Sequence, residues 1–218
     1  MNTDPKNRII AALDVGSMDE AKRLVDMLSP HVGFFKVGLE LTTAVGAPSI
    51  VEYIRAQGGQ VFLDSKFHDI PNTVGGAAKA ASQLGVNMFT VHASAGTEAM
   101  KAAVQNRGRS FVLAVTVLTT MNDSACIEYY GAPVTVKVLN FALNAAAAGC
   151  NGIICSPQEL DMLKNQPTLA HMLKITPGVR PVWAPADDQK RYLTPAEAIT
   201  AGADLLVIGR PITRPPTA

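Results

Sequence analysis

Short apolar runs alternate with Ala-rich amphipathic stretches along the whole chain of 218 residues. "RIIAALDV" (8–15) reads as a strand, and "SMDEAKRLVDMLSP" (17–30) reads as a helix with Ser17 as N-cap and Glu20 three residues later. The second strand is "FFKVGLE" (34–40), and "TAVGAPSIVEYIRAQGG" holds the second helix, closed by Gly58-Gly59. The same pairing recurs in "QVFLDSKF" with "TVGGAAKAASQLG", and in "MFTVHAS" with "TEAMKAAVQNRG". It continues in "FVLAVTVLT" (111–119) with "VTVKVLNFALNAAAAG" (134–149), and in "GIICS" with the short helix "PQELDMLKN". "MLKITPGV" is followed by "TPAEAITAG", with Thr194 as cap and Pro195 at the first helical position, and "DLLVIGR" (204–210) is the last strand.

Eight strands thus alternate with seven helices. The strands are near-continuous apolar runs, as expected when both faces of a sheet are covered. Strict alternation implies a parallel sheet, and eight units favour one α/β domain over 1–218, a (β/α)8 TIM barrel. An open doubly wound sheet is the alternative. No G-x-G-x-x-G follows the first strand, so the dinucleotide fingerprint is missing. After the eighth strand the chain reads "PITRPPTA", and its prolines argue against an ordinary helix. The final helix is therefore expected to be missing or truncated, or its place covered by another element.

Composition narrows the function classes. With 48% hydrophobic residues and a formal net charge of +1, the chain supports a sizeable core and offers no global charge for nucleic acid or a membrane surface. A small anionic substrate needs only a local basic cluster. The N-terminal "MNTDPKNR" is not a signal peptide, and no apolar run is long enough to span a bilayer. Three cysteines without paired spacing read as reduced, mostly buried thiols of a soluble cytoplasmic protein.

Against this sparse charge, "LDSKFHDIPNT" (63–73) is dense in ionisable groups. In a (β/α)8 barrel chemistry stands at the C-terminal ends of the strands. There the sequence places Asp14, Lys36, Asp64 and Lys66, His68 and Asp69, His92 and Ser94, Thr119-Thr120, Gly178 and Arg180, and Gly209-Arg210. Each has a bland reading: an Asp after a strand caps a helix, a strand Lys snorkels, and Asp64 with Lys66 makes a structural ion pair at the mouth. Taken together, alternating carboxylates and ammoniums satisfy one another at one rim and hold a lysine ready to donate a proton. Asp64 and Lys66 are two apart and face one side of a strand, the barrel axis if Leu63 faces the helices. Gly178 and Arg180 stand at the end of strand seven and Gly209-Arg210 at the end of strand eight, the region where barrels often bind phosphate. The long polar stretch "PVWAPADDQKRY" (181–192) reads as a lid. His92 is a further candidate to line the site.

"FLDSKFHDIPNT", "VTVLTTM", "TPGVRP", "DQKR" and "VIGRPIT", in this order from about Arg8 to Thr213, strongly resemble the orotidine 5'-phosphate decarboxylase family. The resemblance implies decarboxylation of orotidine 5'-monophosphate (OMP) to uridine 5'-monophosphate (UMP), the last step of de novo UMP synthesis, with no metal or organic cofactor. It implies that Lys66 protonates C6 as carbon dioxide leaves. Asp64 would lie beside the substrate carboxylate, Lys36 would complete the charged network and contact the ribose, and Asp14 would hold a ribose hydroxyl. Thr119 would lie near the pyrimidine, Gln189 would bridge toward the phosphate, and Arg180, Gly209 and Arg210 would hold it. Asp69 and Thr73 would reach into the neighbouring subunit's site, making a homodimer. Two departures stand out: "RPPTA" replaces the family's usual continuation and last helix, and Thr120 stands where Ser is common. Two other readings compete. One is a magnesium-dependent sugar-phosphate barrel such as 3-keto-L-gulonate 6-phosphate decarboxylase. The other is a silent phosphate-sugar binder.

Overall fold

Eight parallel strands close into a barrel in the computed structural model, which describes residues 4–183 and 193–214. They are β1 (Ile9–Ala12), β2 (Phe34–Val37), β3 (Gln60–Phe67), β4 (Met88–His92), β5 (Phe111–Val115), β6 (Gly152–Ile154), β7 (Leu173–Thr176) and β8 (Leu205–Ile208). Ile9, Ile10 and Ala11 of β1 pair with Leu206, Val207 and Ile208 of β8, which shuts the ring and excludes the open sheet.

The continuous apolar reading of the strands has a direct cause. Ile10, Ala12, Phe62, Met88, Leu113, Ile175, Leu205 and Val207 form one buried cluster inside the barrel. Their neighbours Ala11, Val61, Leu63, Phe89, Val91, Val112, Ala114, Leu206 and Ile208 belong to the larger cluster between strands and helices. Most of the apolar surface on both faces of the strands is therefore removed from water, at about 25 cal/mol per Å², and no polar alternation is required.

The helices outside the ring begin where capping chemistry allows. In α1 (Met18–Leu28) the Ser17 hydroxyl accepts the Glu20 amide at 3.3 Å. In the helix over Pro195–Ala201, Thr194 and Glu197 cap one another reciprocally. Three readings are corrected. The second helix is two, α2 (Leu39–Val45) and α3 (Ala47–Ala56), because Gly46 at φ 77 turns the chain and Pro48 starts a new helix. Leu39 and Glu40 consequently belong to α2 and not to the second strand. The next two helices are α4 (Pro71–Gln83), which starts two residues before the expected helix, and α5 (Thr97–Asn106).

The loop after β5 holds an unforeseen helix, α6 (Asp123–Tyr130), whose first turn is capped where Asn122 Oδ1 accepts the Ala125 amide at 2.9 Å. Tyr129 and Tyr130 are thus helical. Then come α7 (Val134–Ala147), α8 (Leu160–Lys164) and α9, the Pro195–Ala201 helix. Past β8 the prolines do not forbid all helix. Arg210–Thr213 makes one turn, α10, because Pro211 sits in the first turn, where its absent N–H is not needed. Arg214 then reaches Glu20 of α1 at 3.9 Å.

The three cysteines are free and buried, and burial pushes the Cys150 thiol up to about 12. Among the described residues, no helix is long and apolar enough to cross a membrane.

Candidate active site

The strand tips surround a cavity of about 640 Å³. Asp14, Lys36, Asp64, Lys66, Thr119, Arg180, Gly209 and Arg210, all expected from the sequence, line it. Charged side chains from β2, β3 and the segment just past β1 form a line along one wall. Lys36 Nζ is 2.9 Å from Asp14 Oδ1 and 3.8 Å from Asp64 Oδ2, and Lys66 Nζ is 2.8 Å from the same Asp64 oxygen. The order is Asp14, Lys36, Asp64, Lys66, so each inner charge lies between opposite ones. Asp64 is nearly buried, a placement sustained only with such partners.

The two-residue spacing of Asp64 and Lys66 does not act through a regular pleat. Leu63 pairs with Phe89 and Phe67 with Val91, so Asp64, Ser65 and Lys66 stand opposite the single residue Thr90. Lys66 occupies the left-handed region at φ 49, a conformation that costs a non-glycine residue roughly 1–3 kcal/mol and tends to mark functional sites. This β-bulge re-aims the lysine. Thr90, fully buried, receives the displaced Lys66 amide on its hydroxyl at 2.8 Å and donates that hydroxyl to Asp64 Oδ1 at 3.0 Å. Sequence reading missed Thr90, although Met88 two residues before it packs inside the barrel and the strand period puts position 90 on the same side.

Gly38 was missed too. A Cβ at this position would lie 2.8 Å from Lys36 Nζ and 3.5 Å from Asp14 Oδ1. A side chain there would press on the first ion pair.

Across the ring, β7 leads into Gly178 and Arg180, which with Pro177 line the wall opposite β3. Arg180 is 5% exposed, yet among the described residues its Nε has no hydrogen-bond partner and its Nη1 meets only the Val179 carbonyl, at 3.3 Å. A buried guanidinium with donors to spare is prepared for an anion. Gly209 and Arg210 lie on the same rim, next to Asp14 across the β8–β1 closure. Between them, Val115, Val117, Leu118, Ile154 and Val207 add an apolar floor.

Other expected residues stand apart. Asp69 and Thr73 are exposed and do not line this chain's cavity. Asp69 Oδ1 accepts the Ile70 amide at 2.7 Å, and Thr73 lies in the first turn of α4. His92 does not line the cavity either. Its Nδ1 is 2.6 Å from Ser94 Oγ, its ring is 5.4 Å from that of His68, and burial, then His68, then Lys66, lower its pKa to about 4. Gln189, with most of the expected lid, lies outside the described residues. On either side of that stretch Val179 bridges to Leu193, and the Arg180 amide donates to the Leu193 carbonyl at 3.0 Å.

A closed ring of eight strands, with its charges gathered at the strand tips, defines a (β/α)8-barrel enzyme. The chain belongs to the Orotidine 5'-phosphate decarboxylase / HUMPS family, whose model matches residues 7–217. It is 46% identical to an orotidine 5'-phosphate decarboxylase of Geotalea daltonii, over 98% of this chain and 92% of that protein. It is 45% identical to one of Heliobacterium modesticaldum, over 98% and 92%. The crystal structure of orotidine 5'-phosphate decarboxylase from Lactobacillus acidophilus superposes with a TM-score of 0.79 at 34% identity, covering 95% of this chain and 92% of that one.

Proposed function

We propose that this protein decarboxylates OMP to UMP without a cofactor, with Lys66 as the proton donor. The observation that carries the reading is the Asp14–Lys36–Asp64–Lys66 line facing Arg180 across one cavity. The phosphate would sit with Arg180, Gly209, Arg210 and Gln189, the pyrimidine over the apolar floor near Thr119, and the ribose against Asp14 and Lys36. C6 and its carboxylate would then lie at Asp64 and Lys66.

In the reaction the bond between C6 and the carboxylate carbon breaks, and its electron pair stays on C6. Carbon dioxide leaves, and C6 takes a proton from Lys66 Nζ, which solvent later replaces. No ring electron sink exists for the developing carbanion, so a fixed ammonium beside it supplies the stabilisation. Binding energy at the remote phosphate supports that step.

Asp69 and Thr73 are assigned to the cavity of a second copy in a homodimer. Support comes from their exposure and their position outside their own chain's cavity. Mixing Lys66→Ala and Asp69→Ala variants should then restore turnover that neither shows alone, because one of the two mixed sites is intact.

Turnover is read from the fall in orotidylate absorbance, with and without EDTA. Activity that survives the chelator supports the proposal. Absence of turnover favours the silent binder, and loss with EDTA favours a magnesium-dependent sugar-phosphate enzyme.

A further inference from the structure

We infer that Thr90 is a positioning residue for the proton donor, acting on Lys66 and Asp64 through one hydroxyl. This rests on the proposed decarboxylase reading for its catalytic consequence, and on geometry alone for its structural one.

The β-bulge creates a requirement that the sheet cannot meet. Three residues of β3 face one residue of β4, so the Lys66 amide loses a ladder partner. In a buried setting an amide without an acceptor is costly. Thr90 supplies the acceptor at 2.8 Å. A hydroxyl has one proton to give, and here it goes to Asp64 Oδ1 at 3.0 Å. The two bonds constrain different things. The first holds the Lys66 backbone in its left-handed turn, which sets the direction in which the side chain leaves the strand. The second orients the Asp64 carboxylate so that its other oxygen, Oδ2, faces Lys66 Nζ at 2.8 Å and Lys36 Nζ at 3.8 Å. Thr90 is fully buried and absent from the cavity wall, so it touches no substrate. Valine has nearly the same shape and neither hydrogen bond, and serine keeps both.

The test compares Thr90→Val and Thr90→Ser with the unaltered protein in three measurements. Amide hydrogen exchange, followed by NMR, should speed at Lys66 on the order of tenfold in Thr90→Val, the equivalent of one lost hydrogen bond. Amides of the distant β6 and β7 should be unchanged, and Thr90→Ser should behave as the parent. For OMP turnover, kcat should fall by about 10²-fold in Thr90→Val, the effect of a small misplacement of a reacting group. UMP affinity should be kept, and Thr90→Ser should recover most of the rate. Unchanged Lys66 exchange in Thr90→Val would overturn the inference whatever the activity. So would a loss of UMP affinity equal to the loss of kcat, which would mark general damage to the site. If the unaltered protein does not turn over OMP, the functional proposal fails by itself, and the exchange measurement still decides the role of Thr90.

Discussion

Lys66 Nζ stands 2.8 Å from Asp64 Oδ2 although a β-bulge, not a regular strand, connects them. Removing the amine removes the proposed acid, so Lys66→Ala should lower kcat for OMP by roughly 10²–10⁴-fold while UMP still binds. Removing the charge on Asp64 acts on stability as well. Asp64→Asn leaves Lys36 and Lys66 without their shared counter-charge. The cost should be about 1–3 kcal/mol in urea unfolding, less than for a fully buried pair, because the Lys66 side chain is 32% exposed. A variant as stable and as active as the parent would remove both claims.

The contact between Gly38 and Lys36 separates binding from folding. A methyl group at position 38 would meet the end of a flexible side chain, not backbone, at 2.8 Å. The ammonium can move away, so thermal stability should change little. Its move takes it off Asp14, where the ribose is expected. Gly38→Ala should therefore raise KM for OMP about tenfold with little change in Tm. A large fall in Tm would show that the glycine serves the fold instead.

The strand-tip charges were legible because a chain so poor in charge has few reasons to gather Asp and Lys at strand ends. The barrel was legible because continuous apolar strands alternating with capped helices admit few other closures. What escaped reading depended on tertiary contacts. Thr90 looked like one polar residue in an apolar strand until β3 bulged against it. Gly38 lay inside the expected second strand with no role assigned, and only the fold brings Lys36 Nζ against it. Helix α6 was hidden because the apolar and polar residues of "DSACIEYY" show little helical segregation, and only Asn122 and Gly131 mark its ends. Asp69 and Thr73 were named through the family motif alone, and nothing in this chain's own cavity points to them.

The Arg180 Nε, without a partner among the described residues, predicts a phosphate response that does not depend on turnover. A ligand bound only by the folded state stabilises it by RT ln(1 + [L]/Kd), about 2.7 kcal/mol at a hundredfold excess over Kd. Inorganic phosphate and UMP should both raise Tm of the unaltered protein. Arg180→Met should fold and lose the phosphate shift, while Gln189→Ala should weaken OMP binding. An identical phosphate shift in Arg180→Met would move the anion site elsewhere.

His92 makes an acid-sensitive point beside the site. Burial, with His68 and Lys66 nearby, lowers its pKa to about 4 in the folded protein, whereas an unfolded histidine titrates near 6.5. Between those values the unfolded chain binds the proton and the folded chain does not. Stability therefore falls as pH drops from about 6.5 to about 4, and this contribution levels off below. At pH 4.5 the loss relative to pH 7.5 should be about 2–3 kcal/mol from this residue. Carboxylates that unfold the protein in acid act in the same range, so the decisive quantity is a difference. His92→Asn keeps a polar group near Ser94 and cannot titrate, and its unfolding free energy should decline less steeply between pH 6.5 and 4.5 than the parent's. Parallel pH profiles of parent and variant would show that the imidazole is protonated as readily in the folded state as in the unfolded one.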